Sequence, residues 1–157
     1  MEKRLKYKSL LEQFPDCPPN DYSEIGLEAF RWVHDMAKHD NDFKPNHLIK
    51  SPPERKFDDS DYMCKGNGLS FHDKFSSSLF IYKYWYNKGN LKRKKIFIED
   101  KGDCIAALNL NLTDGIASLP DKDNYGHFTF HEYDSVDLKS KIIDILPIFA
   151  ADGKFIN

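Results

Sequence analysis

Between Cys64 and Asp73 the chain reads Cys-Lys-Gly-Asn-Gly-Leu-Ser-Phe-His-Asp, and an aromatic segment from Phe75 to Tyr86 follows at once. Two glycines within three residues let the backbone take positive φ and approach another group closely. The residues behind them turn abruptly apolar. This predicts a tight loop, a short buried strand over Leu69–Phe71, and a helix with Phe75, Leu79, Tyr82 and Tyr86 along one face. Asp73 or a serine of Ser76-Ser77-Ser78 caps that helix, and Gly89 and Asn90 stop it. Any fold open to this chain has to seat an amphipathic aromatic helix beside the strand it leaves.

The chain before this stretch reads as an N-terminal arm over residues 1–20, basic and then leucine-bearing, in which Pro15, Pro18 and Pro19 hold the backbone extended. Asp21 then caps a helix, with Glu24 as its capping-box partner. Residues 25–37 fit two periods. Helical spacing aligns Leu27, Phe30, Val33 or His34, and Ala37; strand spacing puts Leu27, Ala29, Arg31 and Val33 on one face and Phe30 and Trp32 on the other. The helix is favoured and the strand stays open. Residues 39–61 are polar and punctuated by Pro45, Pro52 and Pro53, an irregular loop that is either a lid over a site or a plain surface connection.

Behind the aromatic helix, Lys92–Lys95 lead into Ile96-Phe97-Ile98, a polar turn and Cys104–Leu110, which reads as a β-hairpin. Strand content recurs over Ile116–Leu119 and Tyr125–Tyr133. Ser135 or Asp134 caps a last helix over Val136–Leu146, ended by Pro147, and Phe149–Ile156 adds an edge strand. The sum is a single α+β domain over residues 1–157, with a mainly antiparallel sheet in the second half and packed helices.

The totals bound the partners. With 23 basic against 25 acidic residues the net charge of −2 gives no general attraction to nucleic acid or to anionic membranes. Cys17, Cys64 and Cys104 are too few and too widely spaced for a disulfide framework or a zinc motif, so reduced thiols are expected. No apolar run approaches a membrane span and no secretory leader follows Met1, which makes a cytoplasmic protein the expectation.

Several constellations carry chemistry. On a strand, His127, Thr129 and His131 share one face opposite Phe128 and Phe130; zinc would need a third ligand such as Cys64 or His72, and no metal is expected. His72 stands one residue beyond Phe71 from Ser70 and on the same face of a strand, either as a general base for the serine or in local packing. The Lys92–Lys95 run beside Tyr82, Tyr84, Trp85 and Tyr86 has the ingredients of a single-strand platform, but rings at helical spacing belong to a core, so nucleic acid is an unlikely partner. A P-loop, a dinucleotide glycine fingerprint and a nucleophile elbow are absent.

In the order of Phe30-Arg31-Trp32-Val33, a gap, then Gly68-Leu69-Ser70 and an aromatic helix, residues 28–86 resemble ADP-ribosyltransferase-like domains. The resemblance implies an NAD site in which Arg31 binds a phosphate or ribose, Gly68 and Ser70 hold the nicotinamide side, and Tyr82 or Phe75 walls the pocket. A late glutamate would stabilise the oxocarbenium character that develops as the nicotinamide bond breaks, and Glu132 is the nearest in order. The reading is then NAD-dependent ADP-ribosyl transfer or NAD hydrolysis. The alternative is a non-catalytic protein-interaction module, such as an immunity or accessory protein of a bacterial conflict system, whose aromatic residues serve a partner surface.

Overall fold

Leu27–Val33 forms a strand, and the helix favoured for that stretch is corrected by how the segment is buried. The computed structural model describes residues 3–156. In chain order its elements are α1 (Lys8–Leu11), β1 (Ser23–Glu24), β2 (Leu27–Val33), α2 (Asn46–Ile49), α3 (Ser60–Gly66), β3 (Leu69–His72), α4 (Phe75–Asn87), α5 (Leu91–Lys101), β4 (Cys104–Leu110), β5 (Gly115–Ala117), β6 (His127–Glu132) and β7 (Ile142–Pro147). Seven antiparallel strands form one sheet in the order β1-β5-β6-β3-β2-β4-β7. The α+β expectation holds, with three of the strands coming from the first half of the chain.

Strand β2 lies near the middle and pairs with β4 along its whole length, from Leu27 opposite Leu110 to Val33 opposite Cys104. Ala29 and Val33 enter one core with Leu69, Phe71, Ala106, Leu108, Phe128 and Phe130. Phe30 and Trp32 enter a second core on the opposite face, with Leu79, Tyr82, Ile105, Ala107 and Phe97. A strand with both faces covered has no polar side to display, so its apolar residues fit either period equally well.

The aromatic helix forms with the inward face as read, but the expected cap is corrected: Lys74, with no side-chain cap bond, stands at its N-cap in place of Asp73 or a serine. Leu79 and Tyr82 of α4 are buried against the second face, with Phe75 and Tyr86 packed beside them. Helix α5 replaces the first strand of the expected hairpin. Asn90 caps it by accepting from Arg93 N at 3.0 Å, and Leu91 to Lys95 are straight-chain residues that lose little freedom in a helix. Its one aromatic, Phe97, reaches Tyr82 with ring centroids 4.9 Å apart. Gly102 ends it at φ +89°, where a Cβ would meet Val33 O at 2.1 Å.

The last expected helix is also corrected. Leu138–Lys141 makes a 3-10 turn with Leu138 buried, and Ile142–Pro147 continues as edge strand β7 against β4. Leu138, Ile142 and Ile145 fit a helical face, yet the run of β-branched isoleucines packs on a pleated surface, and the proline can sit on an edge strand. The expected edge strand over Phe149–Ile156 reduces to a bridge between Phe149 and Phe155. Ser23–Glu24, where a helix was expected, pairs with β5.

Residues 39–61 are more ordered than the irregular loop expected: they hold α2, a 3-10 turn over Glu54–Lys56 and the start of α3, and Phe43 packs on the first core. The glycines of the Gly66-Asn67-Gly68 stretch do not take positive φ. They permit close approach instead: a Cβ on Gly66 would lie 1.9 Å from the His47 ring, and one on Gly68 would lie 2.7 Å from Thr129 Cγ2. Cys17 and Cys64 form a disulfide, because the proline-rich arm brings its cysteine beside the end of α3 with 5.6 Å between the Cα atoms. Of the three thiols expected to be reduced, only Cys104 is free, and it is buried. No helix of the described residues is long and apolar enough to cross a membrane.

Candidate functional site

Arg31 projects from β2 into the first core face, where no carboxylate meets its guanidinium at ion-pair distance among the described residues. Main-chain carbonyls meet it instead. Its Nε donates to Asp42 O at 2.7 Å, Nη1 to Ser70 O at 2.9 Å and Nη2 to Lys44 O at 3.4 Å. The Cζ atom lies 5.9 Å from the Phe71 ring centroid. Burial lowers the guanidinium to about 10, against the charges of Asp42 and Glu132, which favour the cation. The side chain thereby ties the 39–44 loop and strand β3 to β2.

Ser70 was expected to share a hollow with Arg31. The structure joins the two only through the Ser70 carbonyl. Leu69 and Phe71 point into the first core, so Ser70 and His72 point to the opposite face, where His72 rests against Trp32 with ring centroids 6.3 Å apart. Ser70 is exposed, and no hydrogen bond joins its hydroxyl to His72 among the described residues. Burial, and then the charge of His127, lowers His72 to about 4. So lowered, the imidazole is a weak base at neutral pH.

Glu132 lies on the Arg31 face, in register with the buried Phe128 and Phe130 of β6. Lys6 Nζ approaches its Oε1 at 3.5 Å. Burial raises the carboxyl above its ordinary range, outweighing Lys6 and Arg31. Tyr82 walls no pocket: it is fully buried and donates to Gly102 O at 2.6 Å, holding the end of α5. Gly68 serves close packing against Thr129 and His131. The expected set is therefore split, with Arg31 and Glu132 on one face of the sheet and Ser70 and His72 on the other.

His127, Thr129 and His131 share a face as expected, and His72 meets His127 with ring centroids 5.7 Å apart. Cys64, offered as a third zinc ligand, is bonded to Cys17. Burial lowers His131 to about 4, and its ring lies against Tyr22.

Two groupings went unread in the sequence. At the end of β2, His34 Nδ1 meets Asp42 Oδ1 at 2.6 Å and Nε2 meets Glu99 O at 2.7 Å. Both partners are acceptors, so it is the doubly protonated ring that satisfies both contacts. Burial works to lower His34, but the Asp42 bond, the Glu99 carbonyl and the charges of Asp42 and Asp103 raise it above its ordinary 6.5. His39 stacks on His34 at 4.2 Å, and with Asp42 the three offer ligand-type atoms within 4.8 Å of one another. Both His34 nitrogens are engaged by Asp42 and Glu99, and His39 Nδ1 accepts from Asn41 N at 3.1 Å, so these atoms already have protein partners.

The second grouping is the outer face of α4. Phe80, Tyr84 and Trp85 are 51%, 47% and 52% exposed, and Tyr125, whose ring lies 5.0 Å from Phe80, is 50% exposed. Lys88 Nζ sits over Tyr84 at 4.2 Å and over Trp85 at 5.0 Å. The expectation that the rings beside Lys92–Lys95 all belong to the core is corrected: helical rotation turns Tyr82 inward and Tyr84 and Trp85 outward. A wheel of α4 separates these two sets, so this signal was present in the sequence.

Compared with known proteins, the chain matches no family model, no curated protein and no solved structure.

Proposed function

We propose that this chain is a non-catalytic protein-interaction module, of the kind that serves as an immunity or accessory protein in a bacterial conflict system. The observation that carries the reading is the group of half-exposed aromatic side chains Phe80, Tyr84, Trp85 and Tyr125 on the outer side of α4. Aromatic side chains bring a large contact area at low entropy cost and dominate the centres of protein interfaces. A chain that buries Tyr82, Phe71, Phe128 and Phe130 completely has no shortage of core, so rings left in water on one helix face suit a partner.

The NAD reading has less to support it. An ADP-ribosyltransferase-like site needs a guanidinium free to meet phosphate oxygens, and each of the three Arg31 nitrogens already donates to a main-chain carbonyl, which leaves two of its five N–H groups. It also needs a serine and a glutamate around one ribose, and Ser70 and Glu132 leave opposite faces of the sheet.

The two readings separate in one set of measurements on the full chain. Incubated with NAD, the module releases no nicotinamide, and NAD leaves its thermal midpoint unchanged. Nicotinamide release that disappears in Glu132→Gln and in Ser70→Ala would overturn the proposal and restore the NAD reading. Protein binding lost in Tyr84→Ala/Trp85→Ala, with the thermal midpoint kept, supports it.

A further inference from the structure

Charge, an observation separate from ring exposure, narrows the partner. From Lys74 to Ile98 the chain holds Lys74, Lys83, Lys88, Lys92, Arg93, Lys94 and Lys95 and not one aspartate or glutamate, so seven of the 23 basic residues and none of the 25 acidic ones fall in this stretch. The rest of the chain is left with 16 basic against 25 acidic residues. A nearly neutral protein is thus divided into a cationic stretch, over α4 and α5 up to Glu99 and Asp100 in the last turn of α5, and an anionic remainder. None of the seven cations forms an ion pair among the described residues. Three of them lie over rings instead, Lys88 on Tyr84 and Trp85, Lys94 on Tyr86, and Lys83 on Phe155, where it also donates to Ile156 O at 3.3 Å.

Resting on the interaction-module reading, we infer that the α4–α5 hairpin docks an acidic protein surface with an apolar centre. Exposed rings and aliphatic groups together with cations that form no ion pair, on one pair of helices, are the ingredients of a protein interface: the apolar part supplies affinity, and the charges steer the encounter and fix the register. Helix α5 adds exposed apolar side chains of its own, Leu91 at 87% and Ile96 at 45% exposed. The same cations facing another copy of this hairpin would repel it, which argues against self-association through this face.

A polyanion such as single-stranded nucleic acid is the other acidic partner, and the geometry favours protein over it. Base stacking needs open ring faces, whereas the Lys88 ammonium already lies over Tyr84 and Trp85, and these two rings meet edge to face with their planes 81° apart. The aliphatic Leu91 and Ile96 offer a protein a contact that a sugar-phosphate chain does not use. The 25 acids on the remainder of the chain also repel a long polyanion wherever it runs past the hairpin.

The test uses the full chain with two probes, a displayed library of random dodecapeptides and a fluorescent oligothymidylate. Enriched peptides combine aspartate or glutamate with leucine or aromatic residues. The affinity of a synthesised representative falls at least about tenfold in Lys88→Glu/Arg93→Glu and again in Tyr84→Ala/Trp85→Ala. It also weakens with added salt, and the thermal midpoints of the variants stay at the parent value. Enriched peptides with no acidic bias, or ones whose binding survives the charge reversal, would overturn the acidic partner while leaving an interaction module. Oligothymidylate bound more tightly than any peptide, and lost on charge reversal, would replace the protein partner with nucleic acid. Failure of both probes together with nicotinamide release from NAD would bring down the module reading itself.

Discussion

Two groups of charge in this molecule have opposite fates. Around β2, Arg31 and His34 are drawn into the fold and every contact they make is fixed, to the carbonyls of Asp42, Lys44, Ser70 and Glu99 and to the Asp42 carboxylate. On the α4–α5 hairpin, seven cations stand without an acidic partner. The inner group binds the 39–44 loop, β3 and the end of α5 to one strand, so its chemistry is used up in holding the fold. Apart from Lys83, which donates to Ile156 O at 3.3 Å, the outer group makes no side-chain hydrogen bond or ion pair among the described residues. A functional residue type in a sequence is therefore weak evidence until its partners are known, and the charges left without internal partners are the ones available to another molecule.

If that contrast is right, removing an inner cation damages the fold itself. Arg31→Met keeps most of the side-chain volume but leaves the Asp42, Ser70 and Lys44 carbonyls without their donor. Losing three charge-assisted bonds, of which the one to Asp42 O is part-buried and those to Ser70 O and Lys44 O are open to water, costs about 2–4 kcal/mol. Urea unfolding of the variant reads this directly, and a loss under about 1 kcal/mol would show that water replaces the guanidinium without penalty. The comparison would then collapse, because Arg31 would be as free as the outer lysines.

Much of this arrangement could be read in the sequence, although through the wrong atoms. Arg31 and Ser70 were paired on the expectation of a shared ligand, and they do meet, guanidinium to main-chain carbonyl, because β2 and β3 are neighbours. What the residue order lacks is the side of the sheet each side chain leaves from, which depends on strand register. The inward stripe of α4 was legible because one face of a surface helix is apolar. Strand β2 was not, since a strand buried on both faces shows no alternation. Helix α5 was misread from three apolar residues, Ile96-Phe97-Ile98, when its cap at Asn90 and its helix-forming lysines pointed the other way. The Asp42–His34 contact spans eight residues across an irregular turn, and no spacing rule covers it.

Acid sharpens the contrast next. His72 and His131 are buried and lowered to about 4, against 6.5 for an ordinary imidazole. A lowered histidine means that the unfolded chain takes up its protons first. Stability therefore falls as pH drops from about 6.5 towards 4 and levels off below that, by about 2–4 kcal/mol for the two rings together, once partial hydration is allowed for. His34 has the opposite sign. Raised in the folded state, it contributes fully below 6.5 and loses its contribution as pH rises through the raised value. Urea midpoints measured from pH 4 to pH 8 check the acid limb, which would be flat if both rings titrate as in water.

The His34 corner gives a smaller and more local effect. Asp42→Asn keeps one acceptor oxygen where Asp42 offers His34 N and His39 N an oxygen each, and removes the charge that favours the doubly protonated imidazole. The His34 titration, followed by ring-proton chemical shifts, moves down from its raised value, and about 1–2 kcal/mol of stability is lost at pH 6. An unchanged His34 titration would mean that the Glu99 carbonyl alone sets its protonation.

The smallest effect on the fold is the one that most tests the contrast. Replacing Lys92 and Lys95 by alanine removes two exposed side chains that make no ion pair in the chain, and alanine is at least as good a helix former. Stability should change by no more than about 0.5 kcal/mol. The sign favours a gain, because thinning a run of four adjacent cations relieves their mutual repulsion, and that gain should fade as salt screens it. Thermal unfolding at low and high salt measures both parts. A clear loss of stability at low salt would mean that the hairpin's charges have partners within the chain after all, and the division between cations that build the fold and cations held for a second molecule would not stand.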